Sequence, residues 1–160
     1  MFRLTPRIRI AGGELSKAEG LLEKEWLITN GLGGYASSTV LGVNTRKYHG
    51  MLVAAFNPPR KRFVCITKFD EELRLGNMFY PLYANEFQGG IFPRGFQFLE
   101  EFLLSPFPKY VYAIQKVKVS KTVFMSYGKN VTIALYTVEN GNPSDVELHV
   151  FPILACRHFH

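Results

Sequence analysis

From Lys47 onward the apolar positions fall into short runs rich in β-branched and aromatic residues, separated by polar turn chemistry. The runs cover 48–56, 62–68, 78–83, 110–119, 122–127, 131–138 and 146–154. Such side chains suit a pleated, half-buried surface, so each run predicts a strand. Between them, Asn57-Pro58-Pro59, Gly76-Asn77, Gly128-Lys129-Asn130 and Asn140-Gly141-Asn142-Pro143 supply fixed or positive φ values. No helical pattern of roughly 10–15 residues intervenes, so the connections are antiparallel. The expected fold class is mainly β, an antiparallel β-sandwich, supersandwich-like and incomplete.

The first 24 residues are mixed in character and read as an N-terminal extension or edge segment, with the sandwich domain over 25–160. A helical turn is expected over 16–22, weakened by Gly20. In the middle of the chain, Pro106 and Pro108 break an aromatic-rich run between Phe96 and Tyr110, which packing explains.

Composition narrows the classes. At 160 residues, 47% hydrophobic and 20% charged, the chain fits one folded domain with a real core. No apolar run reaches the roughly 20 residues of a membrane span, and the first seven residues lack a signal-peptide centre, so no membrane partner and a cytoplasmic location are expected. The formal charge of +6 is scattered among carboxylates, with Arg60-Lys61-Arg62 its one tight cluster, which reads as a solvated surface and not a nucleic-acid face. Cys65 and Cys156 are far apart in sequence and show no metal-binding spacing, so both are expected to be buried, reduced thiols, and neither a metal nor a cofactor is expected.

The stretch 25–55 departs from ordinary core-building. Small residues, amides, hydroxyls and a Tyr48-His49 pair crowd between two apolar runs, and Gly31, Gly33 and Gly34 carry an entropic cost that a plain connection does not need. Gly31-x-Gly33-x-x-Ala36 formally matches a dinucleotide fingerprint, but residues 37–40 are poor for a helix and no acid occurs between Glu25 and Asp70. No Gly-x-Ser-x-Gly elbow exists, so Ser37 and Ser38 read as turn hydroxyls. Asp70-Glu71-Glu72 and Glu100-Glu101 are neighbours on a strand, pointing to opposite faces, and are expected at loop or edge positions. Glycoside hydrolysis requires two converging carboxyls. Glu25 alone has no partner, so no catalytic residue is assigned. Tyr35 and Tyr48 offer flat faces for a sugar ring, whereas Trp26 fits the core better. Asn30, Asn44 and Arg46 can hydrogen-bond hydroxyls, and His49 is balanced between a structural and a ligand-facing role.

This segment closely resembles the opening motif of the N-terminal domain of bacterial and archaeal glycogen debranching enzymes, the amylo-α-1,6-glucosidase type. The resemblance runs through Glu25-Trp26, Thr29-Asn30-Gly31-Leu32-Gly33-Gly34-Tyr35-Ala36-Ser37, Gly42-Val43-Asn44-Thr45-Arg46 and Tyr48-His49-Gly50. It continues through Gly95-Phe96, Leu99-x-x-Phe102, Phe107-Pro108, Met125-x-x-Gly128-x-Asn130 and Tyr136. Where the family usually closes with Arg-Asp-aromatic-His, this chain has Arg157-His158-Phe159-His160, and the missing acid argues against a role there. The resemblance implies a β-rich, non-catalytic domain of a glycoside hydrolase of glycogen catabolism. That domain would pack on an α/α toroid carrying the catalytic acids and lend its glycine-rich loop to a cleft for branched α-glucan, glycogen or limit dextrin. It also implies a gene fragment or split-gene subunit, inactive by itself. Asn30, Tyr35, Arg46, Tyr48 and His49 are the expected substrate-binding set, lying together on one edge of the sandwich. The competing expectations are a stand-alone carbohydrate-binding module and a purely structural domain.

Overall fold

The computed structural model describes residues 8–15 and 18–160. Residues 1–7, on which the targeting expectation rests, and Ser16 and Lys17 of the expected helical turn lie outside the described residues. In chain order the elements are β1 (Ile8–Ala11), α1 (Ala18–Leu21), β2 (Glu25–Thr29), β3 (Tyr35–Thr39), β4 (Gly50–Asn57), β5 (Arg60–Leu75) and β6 (Met78–Pro81). They continue as β7 (Ala84–Phe87), β8 (Gly90–Arg94), β9 (Leu99–Leu104), β10 (Pro108–Ile114), β11 (Val117–Met125), β12 (Thr132–Asn140) and β13 (Val146–His158).

The fold is mainly β and antiparallel. One sheet has the order β1-β9-β10-β11-β12, and the other β13-β5-β4-β3-β2 with β6 also on β5. The hairpin β7-β8 forms a small third sheet. Strand alternation explains the layering. Along β10 and β11, Tyr110, Tyr112, Ile114, Val117, Val119 and Val123 are buried in turn, and they join Trp26, Ala36, Met51 and Leu73 from the other sheet in one core. The Phe102 and Tyr110 rings meet edge to face at 5.0 Å between centroids. The Tyr110 hydroxyl accepts from Trp26 Nε1 at 2.6 Å and donates to the Thr39 carbonyl at 2.7 Å, so this buried ring is satisfied across both sheets.

Three differences from the sequence expectations have physical causes. The acids Asp70-Glu71-Glu72 are not in a loop: they lie inside β5, all paired with β13, and Glu72 also with β6. Glu71 is buried because Lys121 Nζ reaches its Oε1 at 2.5 Å and the Tyr136 hydroxyl donates to the same oxygen at 2.6 Å. The run 110–119 holds a tight turn, since β10 ends at Ile114 and β11 begins at Val117, with Gln115 at φ +53° in place of a glycine. The cysteines also differ from expectation. Cys65 is half-buried, and Cys156 is exposed because it lies on β13, the end strand of its sheet.

Apolar side chains remain exposed along both β12 and β13, edge strands of their sheets: Leu135 on the first, Phe151, Ile153 and Leu154 on the second. Among the described residues no helix is long and apolar enough to cross a membrane.

Candidate functional site on the outer face of one sheet

β2 and β3 form a hairpin, paired from Glu25↔Thr39 to Thr29↔Tyr35, and residues 30–34 turn between them. Asn30 organises that turn. Its Oδ1 accepts from the Leu32 and Gly34 amides at 2.9 and 3.0 Å, and its Nδ2 donates to the Lys129 carbonyl at 3.0 Å and to Asn130 Oδ1 at 3.1 Å. Asn130 in turn exchanges two bonds with the backbone of Ala55. Two amides thus tie the β2–β3 turn and β4 to the β11–β12 turn of the facing sheet. Gly33 sits at φ +93°, and a Cβ there would lie 2.9 Å from Pro59 Cα, so the turn needs glycine for its conformation and for its contact. At Gly34 a Cβ would meet Asn30 Nδ2 at 2.6 Å.

β2 alternates, with Trp26 buried and Glu25, Leu27 and Thr29 facing outward. At one end of this outward row, Glu25 Oε1 pairs with Arg46 Nε, and His49 Nε2 approaches the same oxygen at 3.4 Å. His49 Nδ1 accepts from the backbone N–H of Thr45 at 3.1 Å and of Arg46 at 3.4 Å, which places its proton on Nε2. The ring is buried, and burial holds its pKa below the ordinary histidine value, with Glu25 opposing and Arg46 reinforcing that fall. The turn 46–49 closes with the His49 amide donating to the Arg46 carbonyl at 3.0 Å.

At the other end of the row lies a cleft of about 440 Å³, lined by Leu27, Thr29, Tyr35, Tyr48, Arg62, Phe159 and His160 with Gly33 and Gly34. That volume is within the span of small-molecule clefts. The Tyr35 hydroxyl donates to the Tyr48 carbonyl at 2.8 Å, and burial raises its pKa against the lowering effect of Arg62 and Arg157. The Tyr48 ring is 37% exposed and packs on Phe159 at 5.7 Å and edge to face on His160 at 5.7 Å. Arg157 donates to the Lys47 carbonyl, and the Arg62 guanidinium lies 5.4 Å from the Phe159 ring centre.

Of the five expected site residues, Tyr35 and Tyr48 line the cleft, and Arg46 and His49 gather on Glu25. Asn30 is buried with its amide spent on the protein. Asn44 is turned inward, donating to the Thr67 carbonyl at 2.9 Å and accepting from Ser38 Oγ at 2.8 Å. Ser37 and Ser38 are not turn hydroxyls: both lie in β3, and Ser37 Oγ donates across the hairpin to the Trp26 carbonyl at 2.8 Å. Sequence reasoning missed Arg62 as a lining residue and set aside the corner formed by Arg157, Phe159 and His160. The available signal was the resemblance, which marks that corner by its arginine and its aromatic-histidine pair even without the acid.

The class these features define is an antiparallel β-sandwich domain with an aromatic cleft on the outer face of one sheet. The chain belongs to the family described as "Glycogen debranching enzyme N terminal", whose model matches residues 24–160. No curated protein and no solved structure matches the chain.

Proposed function

We propose that the chain is the non-catalytic N-terminal domain of an α-1,6-glucosidase acting on branched α-glucans. In this reading it packs on a catalytic α/α toroid and contributes its outer face to the glucan cleft. The observation that carries the reading is the aromatic cleft beside the family motif, where Tyr48 stands partly exposed between Tyr35, Phe159 and Arg62. A tyrosine face takes the apolar face of a glucose ring, and a planar guanidinium makes paired hydrogen bonds to vicinal hydroxyls. Tyr35, Arg46 and Tyr48 supply the contact surface. Asn30 and His49 belong to the same site by holding its two turns in place. The exposed apolar residues of β13, which leads directly into Phe159 and His160, favour a packing surface for the catalytic domain next to the cleft.

The test is binding of a branched limit dextrin, measured by affinity electrophoresis with and without the catalytic toroid. Wild-type protein with the toroid is expected to be retarded, and Arg46→Ala and Tyr48→Ala are expected to lose retardation while keeping their melting temperature. Equal retardation of all three proteins would overturn the site. Full retardation of the chain alone would favour a stand-alone carbohydrate-binding module.

A further inference from the structure

The only two cysteines of the chain, distant in sequence, are brought onto neighbouring strands. β13 pairs with β5 through Arg157↔Val64 and His158↔Phe63. One step back along β13 and one step on along β5 sets Cys156 against Cys65. The register shifts between Leu154↔Ile66 and Arg157↔Val64, so Ala155 and Cys156 together face Cys65 across a bulge. At the next pair the rings of Phe63 and His158 meet at 5.6 Å. Cys65 is also the residue skipped on the β4 side, between Leu52↔Ile66 and Val53↔Val64, so both cysteines sit at one irregularity of the sheet. Neighbouring strands lie about 4.7–4.9 Å apart, which falls within the Cα separation that a disulfide spans. Cys65 also senses its neighbour electrostatically: its pKa, raised first by burial and lowered by the Ala54 backbone, is raised further by Cys156.

Their environments differ in a way that orders the chemistry. Cys156 is exposed on an edge strand, where a reagent in solution can meet it. Cys65 is half-buried, with its Sγ 3.7 Å from the Phe63 carbonyl, and is the less accessible of the two.

We propose that Cys65 and Cys156 form a reversible thiol modification site, a cross-strand pair that closes to a disulfide on reaction with a low-molecular-weight disulfide such as oxidised glutathione. The Cys156 thiolate attacks one sulfur of the small disulfide, whose S–S bond breaks and releases one thiolate that takes up a proton. Cys65 then gives up its proton and attacks Cys156 Sγ, displacing the second small thiol. The two protein thiols lose two electrons and two protons in all, and the small disulfide gains them as two thiols. The new bond ties β13 to β5 just before Arg157, so it restrains the segment that delivers Phe159 and His160 to the cleft.

The experiment incubates the reduced protein with oxidised glutathione, quenches by alkylation, and reads intact mass and linked peptides. Wild-type protein is expected to lose both titratable thiols and the mass of two hydrogen atoms, to yield a Cys65–Cys156 cross-linked peptide, and to recover both thiols with dithiothreitol. Cys65→Ser is expected to stop at a single glutathione adduct on Cys156. Cys156→Ser is expected to react at least about tenfold more slowly, as accessibility dictates. Hydrogen exchange across the end of β13 is expected to slow in the oxidised wild-type protein. Retention of both thiols, glutathione on each cysteine, or disulfide-linked dimers in place of the internal bond would each overturn the site. Unchanged exchange in the oxidised protein would overturn the restraint on β13.

Discussion

Replacing Asn30 by alanine removes four hydrogen bonds from the turn that joins the two sheets. The groups left behind are the amides of Leu32 and Gly34, the carbonyl of Lys129, and Asn130 Oδ1, which keeps the Ala55 amide as a partner. A buried polar group without a partner costs about 1–3 kcal/mol. The Gly34 amide is buried and takes a full penalty, whereas Leu32 and Lys129 lie in a partly buried environment and recover some of theirs from water. The expected loss is about 3 kcal/mol, which for a chain of this length lowers the melting temperature by roughly 6–12 °C. Asn30→Asp keeps the shape but turns the two donated bonds into an acceptor facing Lys129 O and Asn130 Oδ1, so at neutral pH it is expected to be at least as damaging. Urea titration and thermal melts followed by near-ultraviolet circular dichroism report both values. A loss below about 1 kcal/mol for Asn30→Ala, or Asn30→Asp more stable than Asn30→Ala, would refute the view that this amide fastens the sheets.

Other substitutions test other parts of the account. Lys121→Met leaves Glu71 buried with the Tyr136 hydroxyl but without its ion pair and is expected to cost about 3–5 kcal/mol, most of it recovered in the Lys121→Met/Glu71→Leu double variant; a urea series on the three proteins decides. Arg46→Ala breaks an ion pair whose arginine side chain is 62% exposed and is expected to change stability by less than about 1 kcal/mol, read from the same titrations. His49 has a lowered folded-state pKa, so the unfolded chain takes up a proton first, and stability is expected to fall as pH drops below the ordinary histidine value of about 6.5. In His49→Asn, whose amide oxygen can replace Nδ1 as acceptor, the melting temperature is expected to depend less on pH across that window.

Legibility followed the local signals. Where glycine or asparagine flanked a run, as at Asn77 before β6 and Gly128 after β11, that strand boundary could be read from sequence to within a residue or two. Where the turn was made by Gln115 with no such marker, two strands merged into one run. β5 extends past Lys68 through three acids because Lys121 and Tyr136, distant in sequence, satisfy Glu71, and no local pattern announces a long-range ion pair. β3 escaped because its sequence, Tyr35 to Thr39, is mostly small and polar, and β2 because Trp26-Leu27-Ile28 reads only as an apolar run beside the motif, although the glycines at 31, 33 and 34 did mark the turn between them. In the site, the exposed tyrosines were legible as candidate stacking groups. The inward use of Asn30 and Asn44, and the arrival of Phe159 and His160 beside Tyr48, depend on strand order and register, which one sequence does not display.

In the proposed function the outer face around Tyr48 serves a glucan together with a catalytic toroid. The most direct measurement is kcat/KM for glucose release from a branched limit dextrin by the enzyme that contains this domain, wild type against Tyr48→Ala. Loss of one aromatic contact of about 1 kcal/mol predicts a roughly fivefold fall in kcat/KM at an unchanged melting temperature. An unchanged kcat/KM in a variant that folds as the wild type does would contradict the claim.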